Sequence, residues 1–172
     1  MSDKFTRIGA AEGDIWYATT VGGSKSAESM EDNIDAAMLA FIGQDITVGS
    51  VTSSGAETVI GQVTIAANSV NSNLIIIGFV NHTPANSGES ATFKVRLGTA
   101  GTTADAQVGN SEVIQWPNIA GTTPRGTTGF CLKVTAGSDF TKTVQNYVSV
   151  TATNSSGSGQ QSECRTLLVL GA

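Results

Sequence analysis

The sequence predicts an all-β protein: an antiparallel, jelly-roll-like β-sandwich preceded by an N-terminal arm that contains one short helix. Three observations carry this. From about Val48 onward, apolar residues recur with a period of two, the spacing of a strand that buries one face. Seven or eight such stretches follow one another across roughly 120 residues, separated by turn residues and with no helical pattern between them. Charged residues make up only 13% of the 172-residue chain and Gly numbers 20, with much of the remainder Ser, Thr and Asn, so strong helix formers are scarce.

The arm is taken as residues 1–49 and the sandwich as residues 50–172. Charge supports the division. Residues 1–50 hold eight acids against three bases, which accounts for the whole net charge of −5, whereas the remainder is balanced. Residues 1–23 show no clear period, but Ile15, Trp16 and Tyr17 form an apolar anchor before the Gly22–Gly23 pair. The helix is expected over about 26–42. Met30, Ile34, Ala37, Met38 and Phe41 fall on one helical stripe, Ser29 with Asp32 resembles a capping box, and Gly43 is a natural stop.

In the sandwich, Val59, Gly61, Val63 and Ile65 alternate with Ile60, Gln62 and Thr64. The run Leu74 to Val80 is apolar at nearly every position, which is expected of a strand that is central or covered on both faces. A Pro-Asn-Gly loop follows, with His82 at its start. Ala91, Phe93, Val95 and Leu97 alternate with Thr92, Lys94 and Arg96, and a weaker strand runs from Val108 to Trp116. Phe130, Leu132 and Val134 alternate with Cys131 and Lys133. A strand over Val144 to Ala152 and a closing apolar strand over Arg165 to Leu170 complete the set. The residues expected between the sheets are Phe93, Val95, Leu97, Leu132, Val134, Val148 and Val150.

Three segments, Thr58 to Val70, Asn73 to Phe79 and Asn86 to Gly98, resemble a pattern found in small jelly-roll structural proteins of tailed phages. There a strand ending in Ala-Asn-Ser is followed by a second apolar strand and then by a Ser-Gly turn leading into Ala-Thr-Phe-x-Val-Arg-Leu-Gly. Such proteins are head decoration, head-fibre or tail-associated components. The resemblance covers about 40 residues and implies a virion structural role, with location on the particle after synthesis in the host cytoplasm. It implies other virion proteins as partners, a major capsid or tail protein, and a homo-oligomer, with a trimer as the expected form.

The residues exclude most chemistry. His82 is the single histidine, so one chain cannot build a His-based triad or a multi-His metal site. His82 itself is expected to be solvated. The acids of the sandwich are scattered, and the Gly-rich loops open no helix with a following Lys, so no phosphate loop is present. No catalytic residue, metal site or cofactor is predicted, and the chain is not expected to be an enzyme. No basic cluster offers a grip on nucleic acid. The first ten residues have no signal-type apolar stretch, and no run approaches the ~20 apolar residues of a membrane helix. Cys131 and Cys164 are read as two separate thiols or, alternatively, as a possible disulfide between neighbouring strands.

Partner binding is expected from the arm, through Ile15, Trp16, Tyr17, Met30, Ile34, Met38 and Phe41, because these apolar groups are too few to form a core of their own. The competing class is a receptor-binding module, a tail- or head-fibre tip that recognises cell-surface glycans through loops 81–90, 98–107 and 117–128. Those loops hold no aromatic for a sugar ring, and only Trp116 borders one. This favours a capsid decoration or cement protein.

Overall fold

The structure is a computed structural model that describes residues 4–7, 16–19, 40–52, 55–70, 72–86, 88–115, 125–155 and 159–171. The chain divides into two compact units, Met1–Met38 and Leu39–Ala172. In the first, strand β1 (Lys4–Arg7) pairs antiparallel with β2 (Trp16–Thr19), Lys4 opposite Thr19 and Arg7 opposite Trp16. Strands of four residues complete only two alternations, which is why the sequence pattern does not reveal them.

The second unit is a β-sandwich. Its strands are β3 (Ala40–Asp45), β4 (Ser50–Val51), β5 (Thr58–Ile65), β6 (Asn73–Thr83), β7 (Ser90–Gly98), β8 (Ala106–Gln115), β9 (Gly126–Thr135), β10 (Asn146–Asn154) and β11 (Gln161–Gly171). Sheet one has the order β5-β10-β7-β8, and sheet two the order β3-β11-β6-β9, with β4 also paired to β11. All of these pairings are antiparallel. From β4 onward the chain changes sheet at every connection except β7 to β8, which is a hairpin within sheet one.

Strands β3 and β4 are two pieces of one broken edge strand. They lie along successive parts of β11, β3 opposite Leu167–Gly171 and β4 opposite Ser162–Glu163. Asp45 holds the break. One carboxylate oxygen accepts from the Thr47 amide at 2.9 Å, and the other accepts from the Gln62 amide of β5 at 2.8 Å, tying the edge of one sheet to the edge of the other.

This corrects the C-terminal end of the helix expected over 26–42. Its last residues, 40–42, are extended and paired, and residues 26–39 lie outside the described residues. Apolar residues at 34, 37, 38 and 41 satisfy a helical stripe, but backbone hydrogen bonds to an otherwise open strand edge decide the conformation at 40–45. The boundary expected at 49/50 likewise cuts through the sandwich's edge strand, whereas the compact units divide at 38/39.

The core is as the period of two foretold. Phe93, Val95, Leu97, Val134, Val148 and Val150 are buried between the sheets, and Leu132 packs against them. Leu74, Ile76, Val80, Leu167 and Val169 complete the layer from sheet two. The β6–β9 pair carries a reciprocal device. Gly78 faces Phe130 across the strands, and Gly129 faces Phe79 in the next register. Each ring lies over the opposing glycine, so a side chain at either glycine would collide with it. Strand β8 carries a bulge: Val95 opposes Val108 and Phe93 opposes Glu112, with Gly109 at φ 70°.

Phe93→Ala should destabilise the fold by about 3–5 kcal/mol, as for a fully buried ring. Phe41→Ala, on an exposed side chain, should change stability by less than ~0.5 kcal/mol. Urea denaturation followed by circular dichroism measures both. By the same assay a chain of residues 39–172 should unfold cooperatively, and one starting at residue 50 should unfold at lower urea because β11 loses its edge partner β3.

Candidate functional site: two chemically opposite sheet faces

With the core filled, the surfaces available for function are the outer faces of the two sheets and the loops at their ends. The outer face of sheet one is polar and cross-linked. Glu57, just before β5, lies beside β7 and β10. Its carboxylate receives Arg96 Nε at 2.5 Å, Arg96 Nη2 at 2.8 Å, Lys94 Nζ at 3.1 Å and the Thr151 hydroxyl at 2.6 Å. The Arg96 hydrogen bond is the main reason the Glu57 carboxyl is held down to about 2, with burial opposing it and Thr151 and Lys94 adding to it. Arg96 Nη1 also donates to the Asp105 carbonyl at 2.7 Å. Gln62 Nε2 donates to Gly101 O at 2.8 Å and Ser149 Oγ at 2.9 Å. The Asp105 carboxylate accepts from the amides of Ala100, Gly101 and Thr102, so the 99–105 turn is closed on itself and fastened to this face.

The outer face of sheet two is the opposite. In β6, Ile75, Ile77 and Phe79 point away from the core. In β11, Leu168 and Leu170 do the same. Register aligns them in rows: Phe41–Leu170–Ile75–Lys133, then Gln44–Leu168–Ile77–Cys131, then Thr166–Phe79–Gly129. Phe41 is 61% exposed and Phe79 50%. Lys133 is the one charge in these rows. Beyond them the face turns polar: Arg165 pairs with Glu163 at 2.6 Å, and Asn81 sits between Arg165 and Thr127, accepting from Arg165 Nε at 2.9 Å in the amide orientation that satisfies both neighbours.

A third cluster lies inside the sandwich at one end. His82 is fully buried, which corrects the expectation that it is solvated. Strand β6 runs on to Thr83, and the parity that turns Leu74, Ile76 and Val80 inward also turns residue 82 inward. His82 Nδ1 lies 3.0 Å from Ser162 Oγ, which donates to Asn154 Oδ1, while Asn154 Nδ2 donates to Val51 O at 3.2 Å. With the Ser162 proton committed to Asn154, Nδ1 carries the imidazole proton and donates to Ser162, and Nε2 is buried with no hydrogen-bond partner. Burial pushes the His82 pKa below its usual value, against the opposing pull of Glu89 and the Gln161 backbone. Burial raises the Glu89 carboxyl, but the Asn86 and Ala85 amides and the Asn86 side chain outweigh it and leave it lowered.

Among the residues expected to bind partners, Ile15, Met30, Ile34 and Met38 lie outside the described residues. Trp16 and Tyr17 are in β2, opposite Arg7 and Thr6. Phe41 is exposed, but on a sandwich strand instead of a helix. The possible Cys131–Cys164 disulfide is also corrected. Both thiols are free, Cys131 exposed and Cys164 buried, and β6 lies between their strands. Desolvation raises the Cys164 thiol to about 12. The outward residues of β6 and β11 were absent from the expected site, although apolar residues on both parities of Leu74 to Val80 signalled them. Among the described residues, no three His, Cys, Asp or Glu side chains cluster as a metal site, and no helix is long and apolar enough to cross a membrane.

No family model matches the chain, and no curated protein matches it. Among solved structures, a chain from the structure of infectious bursal disease virus Gt strain is similar over 78% of this chain, at 15% identity and a TM-score of 0.44. This chain spans 32%, about a third, of that chain's length. A likeness at that level leaves function to this chain's own residues.

The buried histidine makes stability depend on pH. Its pKa is lower folded than unfolded, so the unfolded state binds more protons and stability falls as pH drops through 6.5. Urea unfolding at stepped pH should show this loss setting in as pH falls below about 7, and His82→Gln should flatten it. A second loss should follow as pH falls from 4.5 toward 2, where Glu57, lowered in the folded state, takes up its proton.

Proposed function

We propose that this protein is a structural component of a virus particle, a capsid decoration or cement protein built on a jelly roll, and that it acts by binding neighbouring subunits. The observation that carries the reading is the strand connectivity combined with the two opposed faces. Counting β3 and β4 as one edge strand, eight strands form two four-stranded sheets, and every connection but one crosses between them, which is jelly-roll wiring. One face is closed by its own polar network, and the other is left apolar. A module with one finished and one unfinished face is suited to burying surface against other subunits.

The resemblance of segments within Thr58 to Gly98 to phage jelly-roll proteins supports the same reading and favours a tailed-phage particle. Low charge adds to it, since few ions must be stripped of water when subunits dock. The glycan-binding alternative fares less well. In the described loops the one aromatic, Phe140, is buried, and a sugar-binding surface needs exposed rings. Attachment is assigned to residues 1–38, the unit that holds the acidic surplus and the Ile15-Trp16-Tyr17 cluster, with a basic patch on a major capsid or tail protein as its complement.

Quantitative mass spectrometry of purified particles tests the assignment. The protein should be present in many copies per particle, and its absence from particles would overturn it. Particles lacking the protein, incubated with the full chain, should regain it, with salt weakening the binding. The 39–172 chain should remain folded and fail to bind. Full occupancy by the shortened chain would move attachment to the sandwich.

A further inference from the structure

We infer that the end of the sandwich around His82 is an acid-operated latch: the neutral ring ties the two sheets together there, and the protonated ring releases that end while the rest of the sandwich stays folded. The latch is independent of the particle assignment and follows from where the ring sits. Gly126, His82, Ser162 and Val51 form one row across sheet two. The row crosses the strands at their tips. Gly126 opens β9, Val51 closes β4, and His82 and Ser162 each lie one residue from the end of their strand. Asn154, the last residue of β10, reaches this row from sheet one, accepting from Ser162 Oγ and donating to Val51 O at 3.2 Å. His82, with Nδ1 3.0 Å from Ser162 Oγ, is the head of this chain of hydrogen bonds between the sheets.

The latch holds one proton on the ring and has no place for a second. Nδ1 uses its proton on Ser162. Nε2 is buried with no hydrogen-bond partner, so a proton there puts a cation in the interior with nothing to accept from it. The groups around the ring do not offset this. Ser162 of β11, Asn154 of β10 and the Val51 carbonyl of β4 do not titrate. The charge that acts on the ring is that of Glu89 in the turn before β7, and its oxygens are engaged by the Ala85 and Asn86 amides and the Asn86 side chain. Arg125, next to Gly126, is a cation, and it donates to Thr83 Oγ1 at 3.3 Å. Glu163 and Arg165 pair with each other.

Position makes the release local. Hydrating the ring requires only the tips of β4, β6, β9 and β11 to part, whereas Leu74, Ile76, Val148 and Val150 lie deeper along their strands and keep their packing. In the open end the ring titrates at its ordinary value of about 6.5. The open fraction therefore grows up to about tenfold from about pH 7.5 to about pH 5.5.

Native-state hydrogen exchange of the full chain, read by NMR in low urea and corrected for the intrinsic pH dependence of exchange, tests this. Amides of residues 81–83, 126–128 and 161–163 should exchange faster than those of 74–77 and 148–150. Their opening should be nearly independent of urea, because little surface is exposed, and should rise up to about tenfold across that pH range. His82→Gln keeps a donor for Ser162 but takes up no proton, so it should remove the pH dependence. If that variant fails to fold, the native ring reports for itself, because it is the single histidine. Its Cε1–H resonance should titrate together with shifts in the Ser162 and Asn154 amides. Tip amides that share the urea dependence of the core overturn the inference, since the end then opens only by global unfolding. Tip exchange that ignores pH while the ring titrates also overturns it, because the closed end then accommodates the charge, with Glu89 turned to the ring. A ring that titrates near 6.5 with both amides unmoved would do the same.

Discussion

The register between β6 and β11 is the constraint on which the rest of the structure depends. Both strands are 11 residues long and lie side by side at the centre of sheet two. Because side chains alternate, a slip of one residue would exchange every inward side chain for an outward one. In most half-buried strands, hydrophobicity forbids that slip. Here both parities are apolar over Leu74 to Val80, so hydrophobicity alone discriminates poorly. Other features pin the register. Gly78 accommodates the ring of Phe130, Gly129 that of Phe79, and His82 meets Ser162 and Asn154 in a polar chain that has partners in this alignment. The bulge between Cys164 and Thr166 resets the parity of β11, so that Ser162 and Cys164 at one end and Leu167 and Val169 at the other all face the core.

The same register creates the chemical difference between the two faces. Once Leu74, Ile76 and Val80 are committed to the interior, Ile75, Ile77 and Phe79 have nowhere to go but the outside. Sheet one has less of such a surplus: Val59 and Val113 are its outward apolar residues, opposite Thr151 and Thr92, and the outward positions of β7 and β10 carry the groups that Glu57 and Gln62 gather. Ser149 and Thr151, outward on the central strand β10, are fully buried beneath those longer side chains. The polar layer thus acts as a lid of hydrogen bonds over sheet one, while sheet two ends in hydrocarbon.

Among the described residues, His82, Ser162 and Asn154 form a polar cluster that is buried inside the sandwich. Its physical role is to satisfy hydrogen bonds where the core meets the loops, and its cost is a buried imidazole with one nitrogen unpaired. That cost is smallest while the ring stays neutral, which links the integrity of this end of the sandwich to pH.

The amino-acid sequence by itself determined the all-β class, the strand positions from β5 to β11 and the seven residues expected at the core, because period-two alternation is a local property that each strand displays alone. It also displayed the double-sided apolar character of β6. Only the tertiary structure decided that residues 40–45 are an edge strand, since a stripe at 34, 37, 38 and 41 suits a helix until β11 offers a row of open backbone groups. It alone decided that His82 is buried, that Cys131 and Cys164 face opposite sides of sheet two, and that Phe41, Leu170 and Ile75 share one surface. Those facts depend on which strands are neighbours and in what register. Pairing across 80 or more residues of chain is a collective outcome of packing that no single segment encodes.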